Sequence, residues 1–119
     1  MEEILIYHNN RCTKSRCALD VLSETGKPFA VVKYLEKPPT LAELKNLKTM
    51  LGLPASAMVR SKETVYSQLF AGKKPTETEL LKAIASHPVL LERPIVVKGN
   101  QAWIVRNDDA VAALKKILK

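Results

Sequence analysis

The sequence predicts an α/β fold with a mixed four-stranded sheet, in the order βαβ, a helical insert and ββα. Three patterns predict it: strand, helix and strand near the N-terminus, capped leucine-rich helices in the middle, and a hairpin followed by a helix near the C-terminus. A length of 119 residues suits one hydrophobic core. We therefore expect a single domain over 1–119, with the helical insert at about 40–87.

The first pattern is a strand–helix–strand unit. Residues 4–7 (ILIY) form a short apolar run that ends at His8, which predicts a buried strand entering a loop. A helical pattern starts at about Thr13, and Gly26 stands where a left-handed residue ends such a helix. Residues 29–34 (FAVVKY) predict a second strand. Short connections favour a right-handed crossover with parallel pairing of the two strands.

The middle of the chain contains two capping boxes, in which a threonine precedes a glutamate by three positions. Thr40 with Glu43 opens a leucine-striped helix that Gly52 ends, and Thr76 with Glu79 opens another. Each pair satisfies backbone N–H groups that the first helical turn leaves free. The middle segment is therefore predicted to be helical.

The remaining elements complete the sheet. Residues 55–70 are irregularly amphipathic and predict two short helices. Residues 94–98 and 101–106 flank Gly99-Asn100, a pair typical of a hairpin, and a last helix opens at residues 107–109. This order of elements is that of a thioredoxin-like architecture.

Composition limits the classes of function. Nineteen Lys and Arg against twelve Asp and Glu give a net charge of +7, but aromatic residues are only 5% and no dense basic tract is present. This pattern favours an anion pocket over a nucleic-acid surface. No apolar run is long enough to cross a bilayer, and the N-terminus lacks the pattern of a secretory signal. We expect a cytoplasmic protein without a membrane contact.

The most informative residue is Cys12, which falls between the first strand and the first helix. Free backbone N–H groups and the positive end of the helix dipole meet there, and both favour a thiolate. Arg11, Lys14 and Arg16 add positive charge, and His8 adds a proton-donating group. The same groups favour a bound oxyanion next to the sulfur. We therefore interpret Cys12 as a reactive thiol of the reducing cytosol, rather than as an inert buried one.

Two other cysteine chemistries are disfavoured. A phosphatase loop needs an arginine six positions after the cysteine, where this chain has Ala18. Cys17 lies five helical positions after Cys12, so their Cα atoms are expected beyond about 7 Å, and a disulfide would require the first turn to unwind. We expect Cys17 to be dispensable; the alternative is a resolving thiol. Two cysteines and two histidines make a poor zinc set, and we expect no metal.

The segment YHNNRCTKSR around Cys12 resembles the arsenate reductase family that works with glutathione and glutaredoxin. The similarity continues through YLEKPPT at 34–40, Val59-Arg60, HPVLLERPIVV at 87–97 and Val105-Arg106, and thus covers nearly the whole chain. In its length the chain is similar to a short, ArsC-like branch of that family, which is itself related to the Spx regulators.

The resemblance implies a role for each matching residue. Cys12 matches the nucleophile that attacks arsenate, His8 a residue that favours its thiolate form, and Ser15 a hydroxyl near the thiolate. Pro94 matches a cis-proline that faces the cysteine. Three arginines match those that gather around the oxyanion: Arg60, Arg93 and Arg106. The resemblance further implies reduction of arsenate or a related oxyanion to arsenite, glutathione and glutaredoxin as reductants, no bound cofactor, and a monomer.

Two alternatives stay open at this point. One is an Spx-like transcriptional regulator that binds RNA polymerase; such regulators carry Cys-x-x-Cys, whereas Ser15 stands three positions after Cys12. The other is a general glutathione-dependent thiol transferase that uses a basic pocket for the carboxylates of glutathione. Ser15 and the three arginines favour the oxyanion reductase over the regulator, and Cys12 with Arg60 favours an inorganic anion over glutathione carboxylates.

Overall fold

The computed structural model describes residues 4–9, 11–105 and 108–117, and it confirms the predicted α/β class with one mixed sheet of four strands. The elements in chain order are β1 (Ile4–Tyr7), α1 (Thr13–Glu24), β2 (Ala30–Val32), α2 (Leu41–Leu51), α3 (Ala55–Met58), α4 (Thr64–Phe70), α5 (Glu77–Ser86), a 3₁₀ turn (Pro88–Leu90), β3 (Ile95–Lys98), β4 (Gln101–Ile104) and α6 (Asp108–Ile117). The strands follow the spatial order β2-β1-β3-β4.

The chain divides into two compact units. The first unit comprises Met1–Tyr34 with Arg93–Lys119 and contains the sheet, α1 and α6. The second unit comprises Leu35–Glu92 and contains the helices α2 to α5. The helical insert expected at about 40–87 lies within this second unit.

The core of the first unit is built from α1 and α6, which contact each other, and from alternate side chains of the sheet. β1 contributes Ile4 and Ile6, because successive residues of a strand point to opposite faces. The core residues from the other elements are Ala18, Val21, Leu22, Val96, Val105 and Leu114. Burial of these apolar side chains fixes the position of α1 on the sheet, and therefore the position of the loop that precedes it.

β2 is shorter than the sequence predicted. Its three residues pair in parallel with β1, from Leu5 beside Ala30 to Tyr7 beside Val32. Beyond Tyr7 the chain leaves β1, and the last bond of this ladder runs from His8 N–H to the Val32 carbonyl. The strand expected over 29–34 therefore pairs only as far as Val32, opposite the last residue of β1.

The second unit confirms both capping boxes. The threonine side chain accepts the backbone N–H of the glutamate, and the glutamate side chain accepts the threonine N–H, in Thr40 with Glu43 and in Thr76 with Glu79. Gly52 ends α2 with a φ of +66°, a left-handed conformation that favours glycine. α3 and α4 are the two short helices expected within 55–70.

Helix α5 is the centre of the second unit, because it contacts α2, α3 and the 3₁₀ turn. Its Leu80, Leu81 and Ile84 are buried, and so are Leu44 and Leu47 of α2. Among the described residues, no helix has both the length and the apolar character that a membrane span requires.

Candidate active site

Cys12 occupies the N-cap position of α1. Its extended backbone (φ −98°, ψ 120°) lets its carbonyl accept the first helical bond from Arg16 N–H at 3.1 Å. Its own N–H donates to the Asn9 carbonyl at 3.0 Å, which closes the loop between β1 and α1. In the described part of the chain no side chain caps this helix, and its first turn has no acidic residue. The thiol is partly exposed, beside N–H groups that favour negative charge.

A buried hydrogen-bond network holds the same loop. The Ser15 Oγ lies 2.9 Å from the His8 Nδ1 and accepts the Asn9 N–H at 3.0 Å. Ser15 is fully buried and His8 is 4% exposed. Because the serine stands on α1 and the histidine directly follows β1, the network ties the two ends of the loop together. The loop that carries Cys12 is thus fixed by contacts that sequence spacing alone does not reveal.

The strand register brings a second segment to this edge of the sheet. Tyr7, the last residue of β1, pairs with Ile95, the first residue of β3. The segment before Ile95 therefore lies where β1 ends and the Cys12 loop begins. The Arg93–Pro94 peptide bond in that segment is cis, the isomer implied by the resemblance. Pro94 is buried, and its carbonyl accepts the Val105 N–H at 2.8 Å.

The Arg93 side chain has buried hydrogen-bond donors. Its Nε and Nη1 atoms are buried, and among the described residues neither has a hydrogen-bond partner. A guanidinium stays charged at every physiological pH, and burial of its donors without an acceptor is costly. An anion would satisfy these donors. The first unit therefore combines, at one edge of its sheet, a cysteine at a helix N-terminus and a guanidinium whose Nε and Nη1 have no acceptor among the described residues.

Arg60 lies in the second unit, with its guanidinium held by two carboxylates. Its Nε donates to the Glu63 Oε1 at 3.1 Å and its Nη1 to the Glu92 Oε1 at 3.5 Å. An isolated β-bridge joins Val59 to Leu91, and Arg60 N–H donates to the Leu90 carbonyl at 2.7 Å. This bridge brings Arg60 and Glu92 together although they are far apart in sequence.

Comparison with known proteins fits this geometry. The model of the ArsC family matches residues 7–114. The chain belongs to the ArsC family. Over 116 residues it is 46% identical to the arsenate reductase of Neisseria meningitidis serogroup A, with 96% of this chain and 99% of that protein covered. The arsenate reductase of Escherichia coli K12 is 38% identical over 112 residues, which are 93% of this chain and 79% of that protein.

A solved structure of the family agrees with the fold. The arsenate reductase from Vibrio cholerae superposes with a TM-score of 0.87 at 42% identity, and the match covers 94% of this chain and 97% of that one. The thioredoxin-like ArsC fold predicted from the element order is thereby confirmed.

The catalytic and ligand roles of the site residues expected in this ArsC chain stay predictions. Arg106 lies outside the described residues, directly after Val105 in the sequence. Cys17 is a free, partly buried cysteine on α1; its expected dispensability, like the alternative role as a resolving thiol, stays a prediction. Among the described residues, no group of three or more His, Cys, Asp and Glu is arranged to hold a metal ion.

Sequence reasoning missed Asn9 in the first unit, and Glu63 and Glu92 in the second. Asn9 sets the loop through its N–H to Ser15 and through its Oδ1, which accepts the Arg11 N–H at 2.9 Å. Glu63 and Glu92 hold Arg60. The i,i+3 spacing of Arg60 and Glu63 was visible in the sequence, whereas no local pattern predicts the Arg60–Glu92 pair.

Proposed function

We propose that this ArsC-family protein is a thiol-dependent oxidoreductase that reduces arsenate, or a related oxyanion, through the Cys12 thiolate. The observation that supports it best is the guanidinium of Arg93, whose buried donors lack a described partner. A tetrahedral oxyanion has the charge and the acceptor oxygens that such a group needs. The cysteine at the N-terminus of α1 stands at the same edge of the sheet.

The proposed reaction uses two thiols besides Cys12. The Cys12 thiolate attacks arsenic(V), an S–As bond forms, and one arsenate oxygen leaves as water after protonation. The glutathione thiol displaces a second arsenate oxygen as water and forms a second S–As bond, and glutaredoxin then attacks the glutathione sulfur. The two sulfurs form a disulfide while arsenic keeps the electron pair of the broken bond and becomes arsenic(III). Water finally hydrolyses the Cys12–arsenic bond, which releases arsenous acid and restores the Cys12 thiol. In sum, arsenic acid and two thiols give arsenous acid, one disulfide and one water.

The chain's own residues prepare this chemistry. The His8–Ser15 contact at 2.9 Å keeps the loop in the form that holds Cys12 at the helix N-terminus. Arg93, Arg60 and Arg106 are the proposed oxyanion ligands, because guanidinium groups match the geometry of an oxyanion. Glutathione is a reductant here rather than a bound cofactor. The proposal places the protein in the cytoplasm, where thiols stay reduced.

The experiment is an arsenite assay with purified protein, arsenate, glutathione and glutaredoxin. We expect the wild type and Cys17→Ser to form arsenite, and Cys12→Ser to form none above the protein-free rate. Cys17→Ser is the matched control, because it removes the other thiol from the same helix. Absence of arsenite from the wild type would contradict the proposal. Equal loss in both variants would make Cys17 a resolving thiol.

A further inference from the structure

The two carboxylates on Arg60 leave part of its guanidinium open. A guanidinium carries five N–H groups. In Arg60, one bond from Nε goes to Glu63 and one from Nη1 goes to Glu92, so the other N–H groups have no acceptor among the described residues. This contrasts with Arg93, whose Nε and Nη1 both lack a partner in the part of the chain that the structure describes. Arg60 therefore keeps donors for an anion, but beside negative charge.

The two carboxylates differ in their surroundings. The Glu92 side chain is 6% exposed and directly follows Leu91, which forms the isolated bridge with Val59. The Glu63 side chain is 29% exposed and stands at the N-cap of α4, three residues after Arg60. Glu63 can thus be altered with little effect on the core. It is also the closer of the two to the arginine, at 3.1 Å against 3.5 Å.

We infer that Glu63 is a specificity-determining residue that discriminates among oxyanions by their charge. This inference rests on the proposed function, which uses Arg60 as an oxyanion ligand. An anion on the open donors of Arg60 is repelled by the carboxylate of Glu63 on the same guanidinium. The repulsion is proportional to the charge of the anion, so it weakens binding of a dianion more than binding of a monoanion of the same shape.

Weaker non-covalent binding of dianions is useful in a reaction that forms a covalent bond to the substrate. Tight non-covalent binding of every tetrahedral dianion would fill the site with unreactive anions. Interactions shared by ground state and transition state do not raise kcat. A carboxylate that weakens non-covalent binding reduces occupation of the site by such anions. The substrate is then selected by formation of the S–As bond, which unreactive anions cannot undergo.

The test uses perchlorate and sulfate as probes, because both are tetrahedral and carry one and two charges. Glu63→Gln removes the charge but keeps a carbonyl oxygen that accepts the Arg60 Nε–H. The control is Glu36→Gln, which removes an exposed charge from the same unit at a residue without a described hydrogen bond or ion pair. Binding is measured by calorimetric titration at constant ionic strength.

We expect Glu63→Gln to bind perchlorate about threefold more tightly than the wild type does. For sulfate, which carries twice the charge, the gain in affinity should be the square of that factor, about tenfold. Glu36→Gln should match the wild type with both anions. Equal gains for the two anions would overturn the inference, and so would gains shared by Glu36→Gln. Weaker binding of both anions to Glu63→Gln would show that Glu63 only positions Arg60, and would overturn it too.

The arsenite assay separates this inference from the proposed function. If the wild type forms arsenite, sulfate should inhibit Glu63→Gln more strongly than it inhibits the wild type. Arsenite formation with unchanged sulfate inhibition would overturn the inference alone. A wild type that forms no arsenite would contradict the proposed function, whatever the titrations show.

Discussion

The guanidinium groups of Arg93 and Arg60 differ in whether their donors have an acceptor among the described residues. The buried Nε and Nη1 of Arg93 have no described acceptor, whereas the same atoms of Arg60 donate to glutamates. In proteins, buried donors without acceptors are rare, because each costs free energy that folding must offset elsewhere. A function that supplies an anion accounts for the exception at Arg93.

The first prediction concerns the stability of Arg93→Met. Methionine preserves most of the side-chain volume and removes donors that lack a described partner. We expect the free energy of unfolding without anions to rise by about 1–3 kcal/mol, measured by urea denaturation. We also expect added arsenate to stabilise the wild type and not the variant.

The control for this prediction is Lys45→Met, which replaces an exposed cation of α2. It should leave the stabilisation by arsenate unchanged. A destabilised Arg93→Met that arsenate still stabilises would show that Arg93 has a structural partner and is not an anion ligand.

The second prediction concerns Ser15→Ala. The substitution removes the acceptor of the Asn9 N–H and the contact with His8 inside a buried network. We expect a loss of about 1–3 kcal/mol in the free energy of unfolding and a lower rate of arsenate reduction, because the Cys12 loop loses its support. Ser23→Ala is the control on the same helix, since the Ser23 Oγ only donates to the Leu19 carbonyl at the surface. Equal effects of the two substitutions would refute the role of the network.

At the scale of secondary structure, local sequence patterns predicted most elements. The capping boxes and Gly52 fixed where α2 starts and ends and where α5 starts, because the hydrogen bonds concerned span three or four residues. The end of β2 was predicted less well, since it depends on where β1, its pairing partner, leaves the sheet. Strand ends are set by long-range pairing, which single-strand patterns do not contain.

The third prediction concerns the acid sensitivity of α5. Hydrogen bonds from Thr76, backbone first and side chain second, lower the pKa of Glu79 below its ordinary value, and Lys73 and Lys82 add to the effect. A carboxyl with a lowered folded-state pKa stabilises the protein above its unfolded pKa. That stabilisation is lost as the pH falls through the folded pKa.

The measurement compares urea unfolding of the wild type and Glu79→Gln from neutral to acidic pH. We expect the wild type to be the more stable at pH 7. The difference in the free energy of unfolding should shrink once the pH falls below the ordinary pKa range of a glutamate side chain. Glu36→Gln serves as the control, since Glu36 is exposed and has no described partner. A difference that stays constant with pH would contradict the stated cause.

For the molecule as a whole, the sequence predicted the fold class and the position of Cys12 before α1. Both follow from periodicity and capping along the chain. The contacts of the site were harder to predict from the sequence, because they join residues that the fold, and not local spacing, brings together. The Ser15–His8 contact links the start of α1 to the end of β1, and the Arg60–Glu92 pair joins the two segments of a β-bridge. The lack of an acceptor for Arg93 Nε and Nη1 among the described residues depends on their surroundings in the fold, which no sequence pattern specifies.

The central claim is that Cys12 is a reactive thiol beside an oxyanion site. The most direct test is the rate at which iodoacetamide alkylates each cysteine of the native protein, followed by peptide mass spectrometry with and without arsenate. We predict that Cys12 reacts faster than Cys17, that arsenate slows Cys12 only, and that Arg93→Met abolishes this protection. Equal alkylation of the two cysteines, with no effect of arsenate on Cys12, would contradict the claim.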